Sequence, residues 1–315
     1  MNTGINTVPN NKLLKNKGTL LKDIWRAARP LSLTLALYST TIGMVIAYQE
    51  GKLFIGELAF DIWLIFLVTV AGVAVQTATN FINDYFECEI EYVSHSSQGE
   101  KTHYFLGKKR SSFDILIFIL GISCFAITGI IGIYLTYLTT TKLLVIGIIG
   151  LIGGYSYTGE PIVYKKKGLG TPLSFLLVGP LMVYGSYLVF TEQFSWSPII
   201  LGMPVGLMIP MMMLSNEIRD YERDKEWGIR TMTVRLGYKT GKYLYLGLLI
   251  ASYVLILLYV LLGWMPLAAL LTFVTIPLAV KAFKNVSKSR KEGVPITNKL
   301  HLSFGLITIL ALLFG

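Results

Sequence analysis

Acidic and basic residues are concentrated in one stretch of the chain, from Asn216 to Gly237, which directly follows a long apolar run. Asp220 and Asp224 are four residues apart there, so a continuing helix places both carboxylates on one face. Four arginines surround this pair: Arg219, Arg223, Arg230 and Arg235. Proteins bind Mg²⁺ with carboxylates together with phosphate oxygens, and a guanidinium matches phosphate with a planar fork of donors. The stretch therefore predicts a site for a metal-bound phosphate.

A second group of oxygen-bearing side chains lies at the end of an earlier apolar run, in the segment QTATNFINDYFECEIE. Asn83, Glu87 and Glu91 recur every four residues and share one helix face, with Asp84 adjacent and Asn80 one turn earlier. A carboxylate at the centre of a spanning helix costs about 3 kcal/mol on insertion scales, and less near the interface. Several carboxylates without lysine partners therefore indicate a ligand. Two such faces that meet across a bundle would hold Mg²⁺ beside a diphosphate, above an apolar cavity.

The composition indicates a polytopic α-helical membrane protein. Of the 315 residues, 53% are hydrophobic and 15% are charged, and the mean hydropathy is +0.60, which is too apolar for a soluble domain of this length. The net charge of +10 could indicate a nucleic-acid partner, but the lysines and arginines lie between apolar runs and not on one soluble face. Membrane orientation explains them better, and we expect no nucleic-acid partner. The two cysteines, Cys88 and Cys124, predict neither a disulfide nor a metal site.

Nine apolar segments are long enough, or nearly so, to cross about 30 Å of hydrocarbon. A polar tail (residues 1–18) and a short interfacial helix from Leu20 to Arg29 precede them, so we predict a flexible tail and a single transmembrane domain over residues 19–315. The predicted spans, of which the fourth, eighth and ninth are short, are Leu31–Tyr48, Ile62–Ile82, Phe113–Tyr137, Leu143–Tyr157, Thr171–Phe190, Pro198–Leu214, Tyr243–Leu262, Pro266–Val280 and Leu300–Phe314.

The basic residues predict the orientation of this bundle. Every Lys and Arg except Lys52 and Lys142 lies in the N-terminal tail or in the connections after the second, fourth, sixth and eighth spans. Cytoplasmic segments carry this excess of positive charge, so we expect a cytoplasmic N-terminus and an external C-terminus in the cell membrane. Both acidic helix ends then open on the cytoplasmic side of the bilayer.

The two acidic segments resemble the NDxxDxxxD and DxxxD motifs of the UbiA superfamily of membrane prenyltransferases. The second segment, NEIRDYERDKEWGIRTMTVRLG, is similar to the 1,4-dihydroxy-2-naphthoate polyprenyltransferases of menaquinone synthesis, as are YSYTGEPIVYKKKGLGTPLSFLLVGP from Tyr155 to Pro180 and ARPLSL around Arg29. The resemblance runs from about Trp25 onward, with three separated motifs in the family's order. It implies the UbiA-like bundle of nine transmembrane helices.

The resemblance also implies an activity and a set of site residues. The expected reaction transfers a polyprenyl group from a polyprenyl diphosphate to 1,4-dihydroxy-2-naphthoate with decarboxylation, with Mg²⁺ as cofactor. The implied catalytic residues are Asp220, Asp224, Asn83 and Glu87, which would also bind the metal together with Glu91. Ten further residues are expected to bind substrate: Arg29, Asn80, Asp84, Tyr155, Tyr157, Lys165, Lys166, Asn216, Arg219 and Arg230.

The chain departs from the family pattern at the first motif, and this leaves alternatives open. Glu87 stands where the family has Asp, Glu91 where relatives have Gly or Asp, and the following loop does not look like the family's. Another phenolic acceptor, such as 4-hydroxybenzoate or homogentisate, is therefore an alternative. An ion-coupled transporter is a second, because intramembrane carboxylates also mark transport sites. The basic residues could equally set topology, and the tyrosines could belong to an aromatic belt.

Overall fold

The structure of the protein is a computed structural model that describes residues 17–92 and 102–315. The side chains of residues 17–19, 88–92 and 102 lie outside what it describes, and so does nearly all of the predicted tail over residues 1–18. The α-helices are α1 (Lys17–Ala27), α2 (Pro30–Gln49), α3 (Leu58–Tyr92), α4 (Ser112–Leu138), α5 (Lys142–Ser156), α6 (Gly170–Leu176), α7 (Met182–Thr191), α8 (Ser197–Gly206), α9 (Met208–Arg219), α10 (Tyr221–Glu226), α11 (Met232–Leu236), α12 (Tyr238–Leu261), α13 (Ile276–Val286) and α14 (Gly293–Phe314).

The predicted all-α polytopic membrane fold is confirmed. In the described part of the chain, eight helical segments are long and apolar enough to cross a membrane: Pro30–Gln49, Leu58–Glu87, Ser112–Leu138, Gly170–Thr191, Ser197–Arg219, Tyr238–Leu261, Leu267–Val286 and Gly293–Phe314. The fourth predicted span is α5, an apolar helix of 15 residues that is shorter than the other eight. The count of nine spans, the orientation and the single-domain boundary stay predictions.

Helix α3 continues well past the predicted end of the second span. Its 35 residues form one helix of about 52 Å at roughly 1.5 Å per residue, which is longer than a bilayer core of about 30 Å. The extra turns carry the first acidic segment, so its polar residues share a regular helix, as their spacing predicts. Helix α4 packs along α3, and this pairing fixes the acidic end of α3 in the bundle.

Two of the spans change helix type along their length. Between α6 and α7 the chain forms a π-helical turn, Leu177–Leu181, which contains Pro180. Proline lacks an amide proton and its ring clashes with the preceding turn, so such a wide turn is a usual way to keep it in a helix. Before α13, Leu267–Thr275 forms a 3₁₀ helix. The apolar pattern of these spans gave no sign of either change.

The largest buried apolar cluster lies in the second half of the bundle and joins α2, α8, α9, α12 and α14. Two buried hydroxyl pairs cross it, Tyr245 with Thr297 at 2.8 Å and Tyr253 with Thr275 at 2.6 Å. Hydrogen bonds between spanning helices contribute about 0.6 kcal/mol each on average. This packing holds α9, whose last turn leads into the second acidic segment.

A β-hairpin follows α3, in a connection for which the sequence predicts a loop. Its strands β1 (Thr102–Phe105) and β2 (Lys108–Ser111) pair antiparallel, with His103 opposite Arg110. The Arg110 guanidinium lies 4.6 Å from the centre of the Tyr85 ring on α3, and Lys108 donates to Glu160 at 2.9 Å. The hairpin therefore packs over the same end of α3 that carries the acidic segment.

Candidate active site

A cavity of about 530 Å³ lies where the ends of α3 and α9 meet the start of α2. Charged and polar groups from these helix ends, from α10 and from the turn after α5 line one part of it: Arg29, Asn80, Glu87, Lys165, Asn216, Arg219, Asp220, Arg223 and Asp224. Apolar side chains from within the spans line the rest: Leu35, Val75, Leu177, Val178, Met182, Ile209 and Met212. The two predicted acidic helix ends thus open into one chamber, together with an apolar compartment.

Glu87 is the centre of a charged network on the α3 side of the cavity. Lys165 and Arg29 both form salt bridges with its carboxylate, Arg29 at 3.3 Å, and Asn83 donates its amide to Glu87 at 3.0 Å. Lys165 also donates to the Asn83 amide oxygen at 3.3 Å, and Arg29 also pairs with Asp84. Burial lowers the pKa of Lys165, but Tyr157 and Glu87 raise it more, so the net shift is upward and the lysine stays a cation.

Arg29 adopts a backbone conformation that few residues take. Its φ of 51° and ψ of 64° are left-handed, and the residue before a proline such as Pro30 normally avoids helical conformations of either hand. Backbone strain of this kind costs on the order of 1–3 kcal/mol and is found at functional sites. Asn80 supports the turn, because its amide donates to the Ala28 carbonyl and to the Ser32 hydroxyl, both at 2.8 Å. Burial lowers the pKa of Arg29, while Asp84 and Glu87 raise it to a net upward shift.

Asp220 lies at a break in the helix, so Asp220 and Asp224 are not on one continuing helix as the spacing predicts. Helix α9 ends at Arg219 and α10 begins at Tyr221, with Asp220 between them at a φ of −96° and a ψ of 8°. The Asp224 amide still donates to the Asp220 carbonyl at 2.9 Å. One helical turn is therefore kept across the break, and the two carboxylates remain neighbours.

Arginines neutralise both carboxylates of this pair. Arg219 donates to both oxygens of Asp220, at 2.8 and 2.7 Å, and Arg223 bridges Asp220 at 3.0 Å and Asp224 at 3.4 Å. Burial raises the pKa of Asp224 to about 6, Arg223 opposes this shift, and Asp220 adds to it. A carboxyl group that gives up a proton in this range binds a cation with release of that proton.

The carboxylates fit a metal that is shared with a phosphate ligand. Within residues 17–92 and 102–315, no group of three or more His, Cys, Asp or Glu side chains is close enough to hold a metal ion alone. Mg²⁺ does not need such a cage, because it keeps waters and binds one or two carboxylates together with substrate phosphates. Glu87, Asp220 and Asp224 supply such partial sites on two sides of one cavity. The side chain of Glu91 lies outside the described residues.

The structure separates the other predicted substrate-binding residues into two sets. Tyr157 lines the cavity, with the Lys165 ammonium 5.5 Å from its ring centre, and burial raises the pKa of its phenol. Asn216 also lines the cavity and donates to the Met212 carbonyl at 3.0 Å. Four of the ten predicted substrate-binding residues do not line it: Asp84, which pairs with Arg29, Tyr155, whose ring packs on Phe125, and Lys166 and Arg230, which are exposed. The predicted metal ligand Asn83 does not line it either and reaches the site through Glu87 and Lys165.

Glu217 is a cavity residue that the sequence did not single out. Its buried carboxylate accepts hydrogen bonds from Thr171 at 2.8 Å and from the Thr233 amide and hydroxyl at 2.8 and 2.9 Å. It therefore joins α9 to α6 and to the first turn of α11. Nothing in its spacing marks it, because its partners come from distant parts of the chain. Its position beside Asn216 in the acidic segment was the one available signal.

Two comparisons with known sequences identify relatives of this chain. The model of the UbiA prenyltransferase family matches residues 36–304. UbiA prenyltransferase domain-containing protein 1 of Dictyostelium discoideum is 26% identical over 236 residues, which are 74% of this chain and 70% of that protein. The 1,4-dihydroxy-2-naphthoate octaprenyltransferase of Bacillus subtilis is 24% identical over 269 residues, which are 85% of this chain and 83% of that protein.

Solved structures share the fold. The apo structure of a UbiA homolog from Aeropyrum pernix K1 has a TM-score of 0.60 and 16% sequence identity, covering 95% of this chain and 99% of that chain. A UbiA homolog from Archaeoglobus fulgidus, bound to DMAPP and Mg²⁺, has a TM-score of 0.55 and 14% identity, covering 91% and 99%. The family model matches most of the sequence, and the bundle matches along nearly its whole length. The chain therefore belongs to the UbiA prenyltransferase family and is an intramembrane prenyltransferase.

Proposed function

We propose that the protein transfers a polyprenyl group from a polyprenyl diphosphate to 1,4-dihydroxy-2-naphthoate, with loss of the carboxylate as CO₂, and so forms a demethylmenaquinol for menaquinone biosynthesis. The observation that carries the proposal is one cavity that joins two carboxylate sites to basic side chains and to an apolar compartment. A substrate with a diphosphate head and a hydrocarbon tail matches both parts. The similarity to the Bacillus subtilis octaprenyltransferase supports the choice of acceptor.

When the diphosphate binds with its metal, the carboxylates would bind the metal and the basic residues would bind the phosphate oxygens. Mg²⁺, when bound, supplies neutralisation of the charge that develops on the leaving diphosphate. Asn83, Glu87, Asp220 and Asp224 would hold it, with Glu91 as a further ligand. Arg29, Lys165 and Arg219 then turn from the carboxylates to phosphate oxygens, which they match in charge and in donor geometry.

Tyr157, which lines the cavity, is the aromatic residue that we assign to stabilisation of the prenyl cation. As the carbon–oxygen bond breaks, its electron pair leaves with the diphosphate and the prenyl carbon becomes an allylic cation. A desolvated aromatic face stabilises a cation by about 2 kcal/mol. The naphthoate ring carbon supplies the pair for the new carbon–carbon bond, and departure of CO₂ returns a pair to the ring. Tyr155 lies off the cavity, so we assign this role to Tyr157 alone.

The position of the acids argues against a transporter. Transporter sites lie near the bilayer midplane, where broken helices meet. Here Glu87 lies at the end of the apolar part of α3, and Asp220 and Asp224 follow the last residue of α9. We propose that this end of the bundle faces the cytoplasm at the cell membrane, where the soluble acceptor and the diphosphate are available.

The proposal is tested with purified protein in lipid nanodiscs. The protein is incubated with Mg²⁺, a polyprenyl diphosphate and, separately, 1,4-dihydroxy-2-naphthoate, 4-hydroxybenzoate and homogentisate, and products are identified by mass. We expect product from the naphthoate. Product from another acid alone would reassign the acceptor, and no product from any acid would overturn the proposal.

Variants of the second acidic pair test the site itself. Asp220→Asn and Asp224→Asn each remove a carboxylate while keeping its size, and we expect both to abolish Mg²⁺-dependent transfer. Glu222→Gln is the matched control, because Glu222 is an exposed acid between them that does not line the cavity. Full activity in either Asn variant would remove the assigned metal site.

A further inference from the structure

Asn298 on α14 lines the cavity, and its buried amide has no hydrogen-bond partner in the described part of the chain. Its side chain is 2% exposed, and neither its nitrogen nor its oxygen is hydrogen-bonded to any described residue. Val294 and Pro295, one turn earlier on α14, line the same cavity wall. The unpaired amide therefore belongs to a residue in the wall of the chamber that we assign to substrate.

Two other buried polar side chains on the same helix are hydrogen-bonded. Thr297 is paired with Tyr245 at 2.8 Å, and Thr308 donates to the Phe304 carbonyl at 2.9 Å. His301 is also buried with unpaired nitrogens among the described residues, but it stacks on Tyr38 and does not line the cavity. A buried polar group without a partner destabilises the protein, so an unpaired amide at a cavity wall indicates a ligand.

Thr231 adds a second unpaired group to this cavity. It occupies the residue before α11, where a Thr hydroxyl usually caps the helix. Glu217 takes that role instead, because it accepts from the Thr233 amide. Thr231 is 1% exposed and lines the cavity, and its buried hydroxyl has no partner in the described ranges. The Thr231 hydroxyl therefore does not cap α11 and is available to a ligand.

The chemistry of the two substrates indicates which of them Asn298 binds. The diphosphate is matched by the arginines and lysine at the helix ends, and the polyprenyl tail has no polar atoms. A neutral amide offers one acceptor oxygen and two donor hydrogens, which suit a hydroxyl group on an aromatic ring. We propose that Asn298 is an acceptor-binding residue whose amide hydrogen-bonds a ring hydroxyl, with Thr231 as the second polar contact of that subsite. This proposal rests on the proposed function.

Asn298→Leu tests the proposal, because leucine is close to asparagine in size and has no polar atom. We expect the KM for the naphthoate acceptor to rise about tenfold, the effect of one hydrogen bond, while the KM for polyprenyl diphosphate stays within about twofold. The thermal midpoint of the substrate-free protein should stay the same or rise, since an unpaired amide has been removed. Asn285→Leu, which changes a half-buried amide that donates to the Lys281 carbonyl at 2.8 Å and does not line the cavity, is the control and should change neither KM.

Acceptors that lack one hydroxyl separate a substrate contact from a structural role. With 1-hydroxy-2-naphthoate or with 4-hydroxy-2-naphthoate, one of the two should bind wild type and Asn298→Leu equally, because the hydroxyl that Asn298 contacts is missing. An Asn298→Leu variant with unchanged acceptor KM would overturn the proposal and leave the amide to an internal water. A parallel rise in both KM values with a lower thermal midpoint would overturn it in favour of packing. If the wild type converts no aromatic acid at all, the proposed function falls, and this inference falls with it.

Discussion

At the scale of single residues, every described carboxylate that we assign to the metal is already paired with a cation. Glu87 is held by Lys165 and Arg29, and Asp220 by Arg219 and Arg223. An unpaired charge in a low-dielectric site is costly, so these pairs keep the substrate-free cavity stable. They also place the phosphate-binding cations beside the metal-binding anions. When a metal-bound diphosphate enters, the protein anions bind the metal and the protein cations bind the phosphates. No charge of either sign is then left unpaired.

Glu87 gives a test of this exchange at the position where the chain departs from the family pattern. Glu87→Asp keeps the charge with one methylene less, so we expect transfer that needs more Mg²⁺ for half-maximal rate. Glu87→Gln removes the charge and should abolish the Mg²⁺-dependent rate. The measurement is the initial rate as a function of Mg²⁺ concentration. Glu57→Gln, an exposed acid just before the other end of α3, is the control, and a Gln variant with wild-type Mg²⁺ dependence would contradict the assignment.

Sequence spacing identified the polar residues of α3 that lie one turn apart, and it gave no signal for Glu217 or Asn298. Glu87 follows Asn83 by one turn, and the two are hydrogen-bonded as that spacing predicts. Glu217 and Asn298 carry no comparable pattern, since the first depends on Thr171 and Thr233 and the second on the shape of the cavity. An unpaired amide is visible only after every neighbour has been placed.

At the scale of elements, one buried carboxylate sets the position of α11. Glu217 accepts from Thr233 near the start of α11 and from Thr171 in α6, while its own helix α9 leads into Asp220. Hydrogen bonds to a charged group contribute about 1.5–3 kcal/mol each. The segment from Asp220 to the start of α11 is therefore fixed at both ends, which keeps the acidic pair aimed at the cavity.

Removal of this anchor should loosen the segment before it harms the bundle. We expect Glu217→Leu to leave the Thr233 amide unpaired, to increase the rate of tryptic cleavage at Arg230, and to lower transfer activity. Cleavage is measured in nanodiscs by the appearance of the two fragments over time. The matched control is Glu226→Leu, an exposed acid at the end of α10. Equal cleavage rates in the Glu217 variant and the wild type would show that α11 is held by other contacts.

The ends of the helices were predicted well where hydrophobicity determines them. Local changes of backbone geometry within the helices were predicted poorly. The predicted first and third spans, Leu31–Tyr48 and Phe113–Tyr137, lie within one residue of α2 and α4 at each end. The π turn with Pro180 and the break at Asp220 were not predicted, because apolar or acidic periodicity continues across both. Helix α3 extends beyond its predicted span because polar residues can continue a helix outside the hydrocarbon.

At the scale of the whole molecule, the contacts of Lys165 bear on how often the chain crosses the membrane. Lys165 follows α5 and pairs with Glu87 at the end of the apolar part of α3. Helix α4 begins beside that same end, next to the hairpin that packs on Tyr85, and its 27 residues lead away from it. Helix α5 must then return across the same layer, although its 15 residues span only about 22 Å. We therefore expect nine crossings, with a short α5 as the fourth.

Labelling of single cysteines on either side of α5 tests this expectation and the orientation together. In a variant without Cys88 and Cys124, Lys142→Cys places a thiol at the exposed first residue of α5, and Lys167→Cys places one at an exposed position after its end. Because the basic residues cluster on the Lys167 side, we expect a membrane-impermeant maleimide to label Lys142→Cys on intact cells, and Lys167→Cys only after permeabilisation. Retained prenyl transfer shows that each variant is folded. Labelling of both thiols from one side would mean that α5 does not cross, and the reverse pattern would place the cavity's charged end outside the cell.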